Sequence, residues 1–305
     1  MQKNGQMWYD TDGNEIQAHG GCIINYEGTY YWYGENKNGI TKNRRMDFIG
    51  FSCYSSKDLV NWKNEGLAFK AITETADHEA GIKSIGERPK VVYSKKINKF
   101  VMWWHLDNMQ YDLSRAAYAL SDNPTGPFIY VKSFKPNVID MFDFTVFVDN
   151  DEKAYLVHAS DRNKTMVIAE LNDEYTAPTG NYKKIFTDQI REAPVMYHAD
   201  NGMYYLATSS CTGYDPNSML YAISRNNSIF GLWVLLDNPC MGREDYRKTF
   251  QGQGTYPLYI NGKYYIMLDH WNPNDIKSSG YSILPVKFDK TYMEVMWQDE
   301  WKGIQ

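Results

Sequence analysis

One pattern of polar and apolar positions recurs five times along the chain: a tight turn followed at once by an aromatic-rich strand. The second residues of these turns are 28, 99, 153, 202 and 262, so successive repeats lie 71, 54, 49 and 60 residues apart. Turns of the Asn-Gly type between apolar runs are the strongest local signal for a β-hairpin. The sequence therefore predicts five hairpins in five similar units.

Each hairpin is followed by further strand-like runs, such as 51–56 and 219–224. No stretch keeps a 3.6-residue apolar period, which predicts few and short helices. Five units of three or four strands predict an all-β fold, a five-bladed β-propeller, with a two-sheet β-sandwich as the alternative. Because no linker composition interrupts the chain, we expect residues 1–305 to form one propeller domain without a separate carbohydrate-binding module. The strand-like segment 6–9 is expected to pair within the last blade, near residues 292–297.

The strand before each hairpin would be the innermost of its blade, and a polar residue stands near the head of each such strand. A polar group there is costly unless it is paired or used. Five such heads would converge on one end of the propeller axis, which predicts a site with three carboxylates. In blade order, these residues are His19, Glu87, Asp143, Glu192 and Gln253.

Composition and charge narrow the class of ligand. Tyr, Phe and Trp make up 15% of the chain, and Tyr and Trp offer the flat apolar faces with polar edges that sugar binding requires. The net charge of −5 argues against a nucleic-acid or anionic-membrane partner. Convergent carboxylates raise one another's pKa and so keep a proton available near neutral pH, which serves glycosidic bond cleavage.

The four cysteines, Cys22, Cys53, Cys211 and Cys240, lack metal-ligand spacing and are predicted to be buried thiols. Neither a metal nor another cofactor is expected. Since no run of about 18 apolar residues occurs, no membrane span is expected. The first five residues carry no apolar secretory core. This leaves an intracellular protein or one whose signal was removed; we favour a periplasmic or extracellular location, and expect a monomer.

Two segments resemble motifs of glycoside hydrolase family 43, a family of five-bladed propeller enzymes. Asp143-Phe144-Thr145 with its following Asp-rich turn is similar to the third-blade motif, and Glu192-Ala193-Pro194 resembles the fourth-blade motif. Residues 54–62 are similar to a structural signature of this propeller clan. The resemblance covers essentially the whole chain. It implies that Glu192 is the general acid and that Asp143 orients it and tunes its pKa.

Blade one departs from most of that family, because His19-Gly20-Gly21 stands where an Asp usually acts as the base. This departure, with Glu87-Arg88-Pro89-Lys90, resembles the subgroup of exo-acting galactan 1,3-β-galactosidases. The resemblance implies that Gln253 replaces the base, by holding water through its carbonyl oxygen or by accepting a proton as its imidic tautomer. Gln251 is the nearby alternative. Either role suits an inverting mechanism.

Other residues are predicted to bind substrate. Glu87 would accept from sugar hydroxyls or raise the pKa of Glu192. Glu35 would accept from two adjacent hydroxyls, and His19 is a further binding candidate. The flat side chains of Tyr111 and Trp271 would stack on a pyranose ring.

Two hypotheses of different class follow, both with a polysaccharide or oligosaccharide as partner. The first is an inverting exo-hydrolase that releases galactose from β-1,3-galactan, the arabinogalactan backbone, with an α-L-arabinofuranosidase or β-xylosidase as the related alternative. The second is a carbohydrate-binding propeller without catalysis, motivated by the missing blade-one Asp. The retention of both Asp143 and Glu192 favours the enzyme, since a lectin would not need that pair.

Overall fold

The computed structural model describes residues 1–42, 45–75 and 77–304. Its strands form five antiparallel blades of four strands each, and the fifth blade carries one additional short strand at its outer edge. The first strands of neighbouring blades contact one another around a common axis. The five-bladed propeller predicted from the sequence is confirmed.

The strands of each blade run from the axis outward in chain order. Blade 1 consists of His19–Tyr26, Thr29–Glu35, Gly50–Ser56 and Lys63–Lys70. Blade 2 consists of Ile85–Ser94, Lys99–Asp107, Arg115–Ser121 and Ile129–Phe134. Blade 3 consists of Phe144–Val148, Ala154–Ser160, Thr165–Leu171 and Pro178–Ile185. Blade 4 consists of Arg191–His198, Tyr204–Ser210, Leu220–Arg225 and Leu232–Leu235. Blade 5 consists of Gln253–Ile260, Lys263–His270, Gly280–Asp289 and Tyr292–Met296, with Cys240–Met241 parallel to the last of them.

The shorter elements lie outside the blades. Two short strand pairs join Gln2–Lys3 to Glu300–Trp301 and Thr41–Lys42 to Arg45–Met46. The helical segments of the described chain are 3₁₀ turns, at Pro136–Val138, Tyr246–Gln251 and Ile276–Ser278. Among the described residues, no helix is long and apolar enough to cross a membrane.

The apolar core of the described chain is divided into clusters that each fill the space between two neighbouring blades. Trp103 and Trp104 show how one strand serves two clusters, because successive strand residues point to opposite faces. Trp104 packs with Phe51 of blade 1, whereas Trp103 packs with Phe144 of blade 3. Both Trp side chains are fully buried. The aromatic strands therefore join the blades into a ring.

The N-terminal segment closes this ring against blade 5, although not where the sequence predicts. Gln6 forms a bridge with Tyr281 in the third strand of the blade, not with residues 292–297. The pairing lies within the last blade, as predicted, but the position near residues 292–297 is wrong because the outer edge of the blade is already occupied by Cys240–Met241.

Most inner strands carry a β-bulge beside their first polar residue. The pairing register shifts between His19 and Cys22, Glu87 and Lys90, Glu192 and Val195, and Gly254 and Tyr256. In three blades, the residue at the bulge has a left-handed backbone, with φ of 60° at Gly20, 55° at Arg88 and 51° at Ala193. A bulge bends its strand and changes the direction in which a side chain points. These bulges place the strand heads around the axis.

Candidate active site

A pocket of about 440 Å³ opens where the inner strands begin, and side chains from all five blades line it. The predicted site residues that line it are Glu35, Glu87, Tyr111, Asp143, Glu192, Gln253 and Trp271. Within the described residues, no group of three or more His, Cys, Asp and Glu side chains is arranged to hold a metal ion.

Glu192 is a carboxyl group that the pocket keeps protonated near neutral pH. Burial, with the negative charge of Asp143, raises the pKa of Glu192 from its usual 4.5 to about 8. Oε1 accepts a hydrogen bond from Gln253 Nε2 at 3.0 Å, whereas Oε2 has a longer contact of 3.4 Å with Asn163 Nδ2. Both oxygens therefore accept an amide N–H, and the weaker contact at Oε2 makes it the oxygen better placed to carry the proton.

Asp143 connects the strand heads of three blades. Its Oδ2 pairs with Arg88 Nε at 2.8 Å and accepts the backbone N–H of Ala193 at 3.2 Å. The second bond fixes the backbone directly after Glu192. Asp143 therefore orients the bulge that carries Glu192 while its charge favours the protonated form of that group.

The same device occurs at two other bulges. The left-handed residue's N–H donates to a carboxylate of the preceding blade: Gly20 to Asp269 Oδ2 at 3.1 Å, and Arg88 to Glu35 Oε1 at 2.9 Å. Gly20 also has no room for a side chain, since a Cβ there would lie 2.4 Å from Glu35 Oε1. Carboxylates between blades thus satisfy bulge amides and set the positions of the strand heads.

Gln253 makes four side-chain hydrogen bonds. Its Oε1 accepts from Arg88 Nη2 at 2.6 Å and from Trp271 Nε1 at 2.9 Å. Its Nε2 donates to Glu192 Oε1 at 3.0 Å and to Ser209 Oγ at 2.9 Å. Arg and Trp side chains can only donate, so the orientation of the amide is fixed. Gln251, the alternative considered from the sequence, is exposed and donates to Asp245 outside this pocket.

Glu87 is held in the opposite protonation state. Burial alone would raise its pKa, but the hydrogen bond and charge of His105, with Lys37 and Tyr111, lower the pKa below its usual value. Its Oε2 lies 3.2 Å from His105 Nδ1, and its Oε1 accepts the Tyr111 hydroxyl at 2.9 Å. Glu87 is thus an ionised acceptor. Asp143, and not Glu87, is the carboxylate that raises the pKa of Glu192.

Glu35 is more occupied than the sequence predicts. Its Oε2 pairs with Lys37 Nζ at 2.5 Å, and its Oε1 accepts the Arg88 amide described above. The carboxylate is almost fully buried but still lines the pocket. A sugar hydroxyl would share it with two protein donors.

Two aromatic side chains form the rim. Tyr111 is 44% exposed, with its hydroxyl on Glu87. Trp271 packs against Tyr214, with ring centroids 5.4 Å apart, and Lys37 Nζ lies 5.9 Å from its ring centroid. Both rings line the pocket.

The family model of glycosyl hydrolases family 43 matches residues 16–266. The chain belongs to glycosyl hydrolase family 43. No curated protein sequence matches it.

Solved structures of family 43 enzymes superpose on nearly the whole chain. A family 43 β-1,3-galactosidase solved with galactodeoxynojirimycin is 37% identical with a TM-score of 0.91, covering 98% of this chain and 99% of that chain. An exo-β-1,3-galactanase from Phanerochaete chrysosporium, a glutamate-to-glutamine variant with β-1,3-galactotriose, is 31% identical with a TM-score of 0.88. An exo-β-1,3-galactanase from Clostridium thermocellum is 34% identical with a TM-score of 0.83. The chain spans 67% of the fungal and 64% of the clostridial chain.

His19 does not fit its predicted role in this family 43 pocket. The sequence analysis makes it a substrate-binding candidate, but its side chain is fully buried. The imidazole stacks on Tyr281 with centroids 5.0 Å apart and lies 5.6 Å from the ring of Trp271. The bulge after His19 leaves the ring under Trp271, so His19 supports the rim rather than contacting a ligand.

The sequence analysis missed several polar residues of this family 43 site, among them Arg88, His105 and Asn163. The sequence could have identified Arg88 as a site residue, because a charged residue inside an apolar inner strand requires a partner. His105 had no such signal, since its position opposite Glu87 depends on the pairing register of two strands. Asn163 comes from a turn whose direction only the folded blade determines.

The cysteines differ from their prediction at one position. All four are free; Cys22, Cys53 and Cys240 are buried, whereas Cys211 is half-buried. Its thiol lies beside Glu192 and Asn163, and burial with the charge of Glu192 raises the pKa of Cys211 to about 12. At neutral pH this thiol is therefore protonated and adds no charge next to Glu192.

Proposed function

We propose that this family 43 glycoside hydrolase is an inverting exo-enzyme that releases galactose from β-1,3-galactan. The observation that carries the proposal is Glu192, a carboxyl with a pKa of about 8, inside a pocket built from all five blades. Solved relatives at 37%, 31% and 34% identity are β-1,3-galactosidase or exo-β-1,3-galactanase enzymes by name, which supports the sugar and the linkage.

In this proposal Glu192 is the general acid. At neutral pH it is protonated, and its Oε2, which accepts only the long contact from Asn163 Nδ2 at 3.4 Å, would give that proton to the glycosidic oxygen as the bond to the leaving sugar breaks. Asp143 is the residue that orients Glu192 and maintains its pKa. Arg88 balances the charge of Asp143, because its Nε lies 2.8 Å from Oδ2.

Gln253 is proposed to position rather than to deprotonate the attacking water, which requires one of the four hydrogen bonds of its amide to open when the sugar binds. The imidic tautomer would place a proton on Oε1, which already faces two groups that can only donate, Arg88 and Trp271. The amide form suits all four of its contacts. Its N–H on Glu192 Oε1 also keeps the acid in place.

The remaining pocket residues are proposed to bind the sugar. Glu87, ionised and facing the pocket, would accept a hydroxyl of the galactose, and Glu35 would accept another beside its pair with Lys37. Trp271 and Tyr111 offer ring faces at the rim. Hydrogen bonds to sugar hydroxyls strengthen in the transition state of glycoside hydrolysis.

The first experiment measures sugar release from linear β-1,3-galactan by chromatography, with arabinan and xylan as parallel substrates. Galactose as the sole early product from galactan alone is the expected result. Arabinose or xylose release would instead assign the arabinofuranosidase or xylosidase activity. Binding without release from any polymer would contradict catalysis and leave a carbohydrate-binding propeller.

Glu192→Gln and Gln253→Ala separate the two catalytic roles. General acids contribute typically about 100- to 10,000-fold, so kcat of Glu192→Gln should fall by at least about 100-fold while galactose still binds. Gln251→Ala, altered just outside the pocket, is the matched control for Gln253→Ala. Equal activity of Gln253→Ala and Gln251→Ala would contradict the role given to Gln253.

A further inference from the structure

His105 lies between two carboxylates in the wall of the pocket. Its Nδ1 is 3.2 Å from Glu87 Oε2, and its Nε2 is 3.1 Å from Asp107 Oδ2. The arrangement is set by the backbone: Glu87 and His105 are directly paired across two strands, and Asp107 follows two residues later on the same face. The pairing of the two strands by itself therefore brings the three side chains together.

Both ring nitrogens must donate for this geometry to be favourable. An ionised carboxylate only accepts, so a neutral imidazole would direct one lone pair at a carboxylate oxygen. Asp107 is ionised as well, because its two oxygens accept the backbone N–H groups of Asn108, Leu113 and Ser114. His105 and Asp107 are almost wholly buried, which makes unpaired charge there costly.

These contacts form a closed ring with the rim of the pocket. Asp107 fixes the turn that follows it, and that turn carries Tyr111 in a left-handed conformation with φ of 53°. Tyr111 donates to Glu87, and Glu87 also accepts from His105. The second ring nitrogen of His105 donates to Asp107, which completes the ring of contacts. A single proton on the imidazole therefore links the acceptor in the pocket to the loop at its rim.

We propose that His105 is a positioning residue, protonated on both nitrogens at neutral pH, that holds Glu87 as an ionised acceptor for a hydroxyl of the bound sugar. The sugar in this statement rests on the proposed function, whereas the protonation state of His105 does not. Burial alone would lower the pKa of His105, but Asp107 and Glu87 raise it to about 9. The titratable groups around the imidazole are Glu87, Asp107 and Tyr111, and Lys37 acts on Glu87 from blade 1.

His158 provides a matched comparison inside the same molecule. It occupies the second strand of blade 3 as His105 occupies that of blade 2, it is also fully buried, and it pairs with Phe144. Its Nδ1 lies 3.1 Å from the carbonyl oxygen of Ala159, and burial lowers the pKa of His158 to about 4. At neutral pH it should carry one ring proton.

The direct test is ¹⁵N NMR of the imidazole rings in the full chain. We expect two protonated nitrogens for His105 at pH 7, titrating near pH 9, and one for His158. A His105 ring with one unprotonated nitrogen at pH 7 would overturn the proposal. A chain that releases no galactose but shows this doubly protonated ring would contradict the proposed function and support the state of His105.

The second test measures galactose binding by calorimetry for His105→Gln and for the control His158→Gln. Hydrogen bonds to charged groups contribute about 1.5–3 kcal/mol, so loss of the correctly held Glu87 should weaken binding by about 10- to 100-fold. We expect the wild-type affinity to fall as pH rises through about 9, in addition to any change near pH 8 that Glu192 causes in both proteins, and this additional fall to be absent in His105→Gln. Equal affinity and equal pH dependence in His105→Gln and the wild type would show a merely structural histidine.

Discussion

The two sides of the pocket treat the same side chain in opposite ways. Glu87 of blade 2 and Glu192 of blade 4 both stand at the head of an inner strand, directly before a bulge with a left-handed residue. Both are largely buried and line one cavity. Yet the pKa of Glu192 is raised to about 8, whereas the pKa of Glu87 is lowered.

The difference lies in the neighbours. Glu192 faces the anion Asp143, and the opposing effects of the Arg88 charge and the Gln253 N–H do not offset burial, so the proton is retained. Glu87 faces the imidazole of His105 and the hydroxyl of Tyr111, which both donate to it. Burial raises the pKa of a carboxyl unless a nearby cation or hydrogen-bond donors stabilise the ionised form in place of water. One pocket can thus contain a proton donor and a permanent acceptor of identical chemistry.

Asp143→Asn is the largest expected perturbation of this contrast. It removes the anion that keeps Glu192 protonated and leaves Arg88 without its partner, so the pKa of Glu192 should fall. The alkaline limb of the kcat/KM–pH profile should move to lower pH, with activity at pH 7 reduced by roughly 100-fold. Breaking a largely buried ion pair should also reduce the free energy of unfolding by about 3 kcal/mol. An unmoved alkaline limb would contradict the role given to Asp143.

Glu192→Gln, with its kcat reduced as described above, should be more stable than the wild type at alkaline pH. In the wild type the folded pKa of about 8 exceeds the usual 4.5. The stability due to the protonated group is complete below pH 4.5 and is lost as pH rises through 8. Glutamine never ionises, so its advantage in Tm should grow from near zero at pH 5 to at least about 3 °C at pH 9. Thermal unfolding at both pH values tests this, and a pH-independent difference would contradict it.

Glu35→Gln, in blade 1, has the smallest expected effect and is the counterpart of Asp143→Asn at the bulge of blade 2. Glutamine keeps an oxygen for the Arg88 amide but loses the charge paired with Lys37. We expect the free energy of unfolding to fall by about 1–2 kcal/mol, with kcat/KM changed by less than about tenfold and the alkaline limb unchanged. Chemical denaturation and a pH–rate profile measure both. A displaced alkaline limb would show that Glu35 also acts on Glu192.

The repeated hairpins and the motifs at Asp143 and Glu192 were enough to predict the propeller and its family. Those features are local: turn residues, alternating apolar positions and short sequence motifs that can be recognised without knowing the tertiary structure. The polar residues at the strand heads were equally predictable, because a polar residue before an apolar strand can be recognised in the sequence. The same argument placed His19 among the ligand contacts, whereas the structure buries its ring beside Trp271.

Most contacts between blades could not be predicted from these local features of the sequence. The sequence by itself determined which residues stand at the head of each blade, since hydrophobic burial and turn chemistry act between neighbours along the chain. The family resemblance implied that Asp143 acts on Glu192, but only the tertiary structure decided that Glu192 keeps its proton while Glu87 is ionised. Their deciding neighbours, Asp143 and His105, are 49 and 18 residues away, and a pKa responds to distance in space.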